Sequence, residues 1–202
     1  MSFKLRNATP SDIPTIIDVF FDTFGDHPVT QLVFRSRRED VQKFFVGSPE
    51  DKPDPSTHFL VLTDPNAADP DKPFAFCKWF ERPKPAGNPS PPPSWPEDAD
   101  QACVEECFGT IEKKHKEIMG DRPHWYLDIL GVLSEYQGKG AGKQLLRWGV
   151  EKADDEKIEA FVVSSPAGAP LYAKYGFETL QTALVGNGTR LESFMRRPIT
   201  TS

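Results

Sequence analysis

The chain has 202 residues, of which 38% are hydrophobic and 20 are prolines, and its formal net charge is −6. One domain, or one domain with a large insertion, accounts for that length. The acidic balance argues against a nucleic-acid binder that relies on basic phosphate contacts, and no stretch approaches the ~18 to 20 apolar residues of a membrane span.

Phe3 to Ala8 alternates as a short first strand. Thr9-Pro10-Ser11-Asp12 then supplies cap and turn residues before Ile13, Ile16, Ile17, Phe20, Phe21 and Phe24, a helical spacing stopped by Gly25. Val29 to Val46 repeats the helical pattern up to Gly47. Thr57 to Thr63 and Pro73 to Glu81 read as strands joined by a Pro- and Asp-containing loop.

Arg82 to Pro96 then holds seven prolines, an extended surface excursion rather than a helix or an inner strand. Asp98 to Met119 is a charged helix and His124 to Leu133 an apolar strand. Gly142 to Glu156 is a helix, Ile158 to Ser164 a strand and Ala167 to Tyr175 a short helix, and Leu180 to Val185 and Leu191 to Arg196 close the chain as paired strands. That order describes a single α/β (α+β) domain over 1–202, with a Pro-rich insertion at about 82–121.

Cys77, Cys103 and Cys107 are too few for a disulfide framework. Reduced thiols in a cytoplasmic protein are the expectation, and a metal site built on Cys103, Cys107 and His115 lacks a fourth ligand at sensible spacing. The N-terminus carries charge early and has no apolar core, so it does not read as a secretory signal.

The chemistry lies in LDILGVLSEYQGKGAGK, Leu127 to Lys143. An apolar strand enters a turn with Gly138, Gly140 and Gly142, and a helix follows at once. Such a turn lets backbone N–H groups approach an anion, and the helix N-terminus adds partial positive charge. Lys139 and Lys143 add mobile charge around it. A nucleotide-triphosphate loop does not fit, because Gln137 stands where its first glycine belongs and Gln144 follows Lys143. The glycine spacing does not match the dinucleotide fingerprint either.

Gln137-x-x-Gly140-x-Gly142 resembles the acyl-CoA signature of the GNAT N-acetyltransferase superfamily, and SSPAGAPLYAKYGFE, Ser164 to Glu178, is similar to its second signature. The opening FKLRNATPSDIPTIIDVFFDTF is similar to the first strand and helix of that family, and the whole set looks closest to its small fungal-type branch. The resemblance implies a mixed, splayed sheet of about six to seven strands flanked by helices, with acetyl-CoA between the fourth and fifth strands. It implies that the N–H groups of Gln137, Gly138, Lys139, Gly140, Ala141 and Gly142 hold the pyrophosphate, with Lys143 close behind. Backbone at Leu130, Gly131 and Val132 would run beside the pantetheine, and Tyr172 matches the general acid that protonates the departing thiolate.

The chain departs from the family pattern twice. Ser134 stands where proline is common after the strand, and Ser164, Ser165 and Pro166 replace an asparagine that binds the pantetheine arm. The latter contact is therefore either a serine hydroxyl, with Ser165 the candidate, or missing.

Asp128 is the lone charge inside WYLDILGV, and simple alternation sets it on the face of Tyr126 and Leu130. A carboxylate among apolar neighbours has a raised pKa, which suits a general base for the acceptor amine as well as it suits a structural acid. Asp26 and His27 are candidates to meet the acceptor, expected to be an amine-bearing small molecule. A protein N-acetyltransferase and a non-catalytic acyl-CoA sensor are the alternatives. Neither a metal nor a membrane or nucleic-acid partner is expected, and the protein is expected to be a monomer or homodimer.

Overall fold

The computed structural model describes residues 3–35, 37–46, 55–82, 95–186, 188 and 190–200. Most of the Pro-rich stretch, 83–94, and the helix stop expected at Gly47 lie outside these residues.

The chain begins with β1 (Lys4–Asn7), whose Arg6 forks onto Asp12 at 2.6 and 2.8 Å. The same carboxylate accepts the Thr9 N–H at 2.7 Å. Asp12 thereby fixes the turn that leads into α1 (Ile13–Phe24). The stretch expected as one helix is two, α2 (Pro28–Phe34) and α3 (Arg38–Val46). Arg35 adopts φ +47° and its N–H closes on the Gln31 carbonyl. That left-handed residue ends α2 and reorients the chain, so that Val33 and Phe34 of α2 and Val41 and Phe45 of α3 reach the same core.

The remaining elements are β2 (Thr57–Thr63), β3 (Pro73–Arg82), α4 (Gln101–Met119), β4 (His124–Val132), α5 (Ala141–Glu156), β5 (Glu159–Ser164), α6 (Ala169–Ala173), β6 (Glu178–Val185) and β7 (Arg190–Arg197). The seven strands form one sheet in the order β1-β2-β3-β4-β5-β7-β6. All neighbours are antiparallel except β4 and β5. This is the mixed, splayed α/β sheet flanked by helices that the sequence predicts.

Each face of the sheet carries its own core. Under α5 lie Leu145, Leu146 and Val150 against Cys77, Trp79, Trp125, Leu127 and Val162. Gly149 is required there, because a Cβ at that position would sit 2.2 Å from Cε2 of the Trp79 indole. On the other face, α1, α2 and α3 pack Ile16, Phe20, Phe34 and Phe45 on Val61 and Phe76. The end of α4 adds Ile118 and Met119 over Phe161 and Phe194. Trp95 anchors the chain where it re-enters the described structure, stacked on Phe44 at 5.6 Å and packed on Phe108 at 4.3 Å. No helix among the described residues is long and apolar enough to cross a membrane.

Candidate active site

The site begins where two strands part. β4 pairs with β5 only from His124↔Glu159 to Leu127↔Val162. From Asp128 onward β4 continues along β3 while its other edge loses its partner. A bulge falls at the same place, because Lys78 pairs with Ile129 while Trp79 pairs with Leu127, leaving Asp128 as the extra residue.

The bulge overturns the simple alternation. Tyr126 packs with the α4 cluster and Ile129 with the α1 cluster, whereas Leu130 packs on the α5 side. Asp128 therefore keeps the company of Tyr126 but not of Leu130. An inserted residue resets the two-residue period of a strand.

The backbone beyond the bulge can be assigned from one hydrogen bond. The Leu133 N–H donates to the Phe74 carbonyl at 2.9 Å, and in the register of β3 and β4 this makes Gly131 and Ile129 the next residues bonded to β3. Leu130 and Val132 therefore turn their N–H and C=O groups toward the parted edge. The Val132 carbonyl is taken by the Gln137 amide at 3.1 Å and the Thr23 hydroxyl at 3.4 Å. Gly131 has a steric part, since a Cβ there would meet the Phe76 ring at 2.7 Å.

The mouth of the gap is the glycine turn. Gly138 and Gly140 adopt φ +73° and +92°, a region that favours glycine. They bring the chain round so that α5 starts at Ala141 with its free N–H groups facing the gap. Open space surrounds both glycines, and a Cβ on Gly142 would first meet Leu171 of α6 at 3.4 Å. A concave backbone surface at a helix N-terminus suits a pyrophosphate. Lys139 lies over the Tyr136 ring at 5.1 Å, and the Lys143 carbonyl accepts the Tyr175 hydroxyl at 3.4 Å, which ties α5 to the end of α6.

On the β5 side, Ser164 donates to the Ser165 carbonyl at 2.8 Å, and the Ser165 hydroxyl oxygen accepts the Gly168 N–H at 3.2 Å. The Ser165 hydroxyl proton stays available to a ligand. Tyr172 follows on α6, only 9% exposed, with its ring against Phe177. Burial pushes its phenol pKa up, with Cys77 and Glu192 adding to the effect, so the phenol carries its proton at neutral pH. Burial also raises the Asp128 carboxyl, which Lys78 and Arg82 oppose. Tyr172 thus offers a proton and Asp128 a carboxyl of raised pKa, the two kinds of group that general acid–base catalysis uses.

Two groups near the site carry no signal in local sequence. Glu192 of β7 is 5% exposed and its pKa is raised, chiefly by burial. It is ion-paired with Arg190, which in turn contacts His27 Nε2. His27 also caps α2, its Nδ1 accepting the Val29 N–H at 3.2 Å, and burial followed by Arg190 pulls its pKa down to about 4. His27 is thus built into the bend between α1 and α2, while Asp26 is exposed.

The three cysteines are free and buried, with burial raising each thiol. His115 stacks on Phe161 at 4.4 Å and meets His124 Nε2 at 2.7 Å, within the cluster under the end of α4. No group of three or more potential metal ligands occurs among the described residues.

Residues 102–194 match the acetyltransferase (GNAT) domain family. The match takes in α4, which the sequence reading set apart with the Pro-rich stretch. Among solved structures, the fold is similar to a histone acetyltransferase HPA2-related protein from Corynebacterium glutamicum, at 21% identity, TM-score 0.67, and 100% and 99% of the two chains covered. It is similar to a putative phosphinothricin N-acetyltransferase at 17% identity, TM-score 0.60, and 99% and 100% coverage. Arabidopsis thaliana NAA60 in complex with acetyl-CoA matches at 16% identity, TM-score 0.57, and 96% and 97% coverage. At these identities the likeness is one of fold. Taken with the parted strands and the glycine turn, the family match identifies residues 102–194 as an acetyltransferase (GNAT) domain, and so as the part of the chain that carries acyl-transfer chemistry.

Proposed function

We propose that the protein transfers the acetyl group of acetyl-CoA to an amine of a small molecule, by direct attack in a ternary complex. The observation that carries this reading is the parting of β4 from β5 directly after Leu127, with Asp128 at its apex and the glycine turn at its mouth. In this reading the N–H groups from Gln137 to Gly142 hold the pyrophosphate and Lys143 adds charge. The Leu130 and Val132 backbone guides the pantetheine, and Ser165 offers a hydroxyl to it. Asp128 takes the proton of the acceptor amine. The amine nitrogen attacks the thioester carbonyl, the carbon–sulfur bond breaks, and Tyr172 gives its proton to the thiolate. A backbone donor aimed at the developing oxyanion contributes about 3 kcal/mol in comparable sites.

The chain is read as one domain over 1–202 with an insertion at about 82–121, since β3 and β4, on either side of it, are adjacent in the sheet. The sequence motifs favour the small fungal-type branch, the buried free thiols fit a cytoplasmic protein, and the protein is read as a monomer or homodimer. A peptide acceptor is the second reading, favoured by the likeness of fold to a NatC complex solved with Gag peptide and CoA, at 15% identity and TM-score 0.56.

Isothermal titration should give saturable acetyl-CoA binding, and its absence would remove the cradle assignment. Free-thiol release across polyamines, amino sugars, aryl amines and peptide termini then separates small-molecule from peptide acceptors.

A further inference from the structure

On the sheet face turned toward α1 and α4, β3 and β4 carry three charges that face one another without touching. Lys78, Phe80 and Arg82 alternate onto this face from β3. Their partners across the ladder are Ile129, Tyr126 and His124. The Lys78 Nζ lies 5.0 Å from the Phe80 ring centroid and the Arg82 Cζ 4.8 Å from it. Two cations separated along the strand thus converge on one ring. Phe80 in turn stacks on Tyr126 at 6.2 Å and 21°, and the Tyr126 phenol lies in the field of Asp128. All five side chains are partly exposed.

Lys78, Arg82 and Asp128 form no ion pair with any described residue. Two acids near the site are already partnered. Glu192 is held by Arg190, and Asp22 accepts two hydrogen bonds from Ser134. Among the described residues these opposite charges share one partly exposed face without an ion pair, with Lys78 and Arg82 over the Phe80 ring and Asp128 at the bulge next to Ile129, the cross-strand partner of Lys78. The buried acid Glu192 is taken by Arg190 and so is not offered to a second cationic group on the acceptor.

We propose that this face is the acceptor site and that its substrate is an amine bearing an anionic group a few bonds away, of the amino-acid type. The amine nitrogen sits at Asp128, and the anionic group spans Lys78 and Arg82 over the Phe80 ring. This rests on the acetyl-transfer reading and narrows its substrate class. Lys78 and Arg82 thereby become specificity-determining residues, since charge-assisted contacts to a carboxylate are the strong ones.

The experiment pairs each of a set of amino acids with its decarboxylated amine, for example phenylalanine with phenethylamine and methionine with 3-(methylthio)propylamine. Free-thiol release from acetyl-CoA is the readout. The wild-type enzyme should favour the amino acid of each responsive pair in kcat/KM by about tenfold or more. Lys78→Met and Arg82→Met should each shrink that ratio, chiefly through KM for the amino acid, while Lys78→Arg restores part of it. Thermal melts identify any variant that fails to fold, and the wild-type ratio stands without the variants. A preference for the decarboxylated amines, equal loss on both members of a pair, or turnover of neither series would overturn the proposal. Acetyl-CoA binding by titration is scored separately, so that the acetyl-transfer reading can stand when the acceptor assignment falls.

Discussion

Ser134 gives both its backbone N–H and its hydroxyl to Asp22 Oδ2, at 2.7 and 2.8 Å. The turn that leaves β4 for the glycine cradle is thereby tied to α1. Proline, common at this point of the family pattern, could make neither bond. Ser134→Pro should therefore lower the melting temperature despite stiffening the turn. Asp22 is exposed, so the expected loss is small, about 1 kcal/mol. A double-mutant cycle with Asp22→Ala checks it: the two losses should not add, and full additivity would show that the bonds do not couple.

Gly149 of α5 faces the Trp79 indole so closely that a methyl group there would overlap its Cε2 and Cζ2 atoms. Trp79 is fully buried on a central strand, which leaves it little room to give way. Gly149→Ala removes a helix-interior glycine, worth up to ~1 kcal/mol in propensity, yet overpacking should win and cost a net 1–2 kcal/mol. Thermal unfolding should show a fall of several degrees. Trp79→Leu in the same chain should relieve part of the penalty of the alanine, and an unrelieved penalty would mean that the clash lies elsewhere.

Much of this arrangement was legible in the residues themselves. Glycines at 138, 140 and 142 between an apolar strand and an amphipathic run marked the cradle, because positive φ and close backbone approach are local demands. The bulge at Asp128 had no such marker. Its cause is the pairing with β3, and the residues on either side alternate as in any strand. The break at Arg35 was hidden for a similar reason, since the apolar spacing of Val29 to Val46 continues across it. Lys78 and Arg82 read as ordinary solvated charges until the sheet brings Tyr126, distant in sequence, onto the Phe80 ring that both cations cover. Local backbone chemistry could be read in advance, whereas charges gathered from separate strands could not.

The Arg6–Asp12 pair makes a prediction about acid stability. Hydrogen bonding to Arg6, only partly offset by burial, holds the Asp12 carboxyl down at about 2 against an ordinary 3.8. A depressed carboxyl stabilises the fold above its unfolded pKa, and that contribution is lost as pH falls from near 4 toward 2. Arg6→Gln should cost about 1–2 kcal/mol at pH 6. Urea unfolding of the two proteins should converge near pH 2. A gap that stays constant across that range would assign the effect of Arg6 to packing.

Tyr172→Phe keeps the ring against Phe177 and removes only the proton donor. Turnover with a responsive amine should fall by about a hundredfold or more, while acetyl-CoA affinity changes little. Unchanged turnover would remove Tyr172 as the acid. A parallel loss of acetyl-CoA binding would instead make it a cofactor contact.

Asp128 separates function from stability by opposite signs. Its carboxyl is raised by burial, against the opposing fields of Lys78 and Arg82, so its ionised form is less favourable in the folded protein than in the unfolded chain. A raised carboxyl is most favourable to folding below its unfolded pKa, and that advantage is lost as pH rises through the folded value. At pH 7, above the unfolded value, the carboxyl therefore opposes folding of the wild-type protein. Asp128→Asn keeps the shape and removes the ionisable group, so its melting temperature at pH 7 should equal or exceed that of the wild type. Turnover should nevertheless fall by about a hundredfold or more, and the rise of activity with pH that reports the base should disappear. A structural acid would give the reverse pattern, with stability lost and the acidic limb of the pH–rate profile intact. Melting curves and pH–rate profiles of this one variant thus distinguish a base held ready at the strand bulge from a carboxylate that merely braces it.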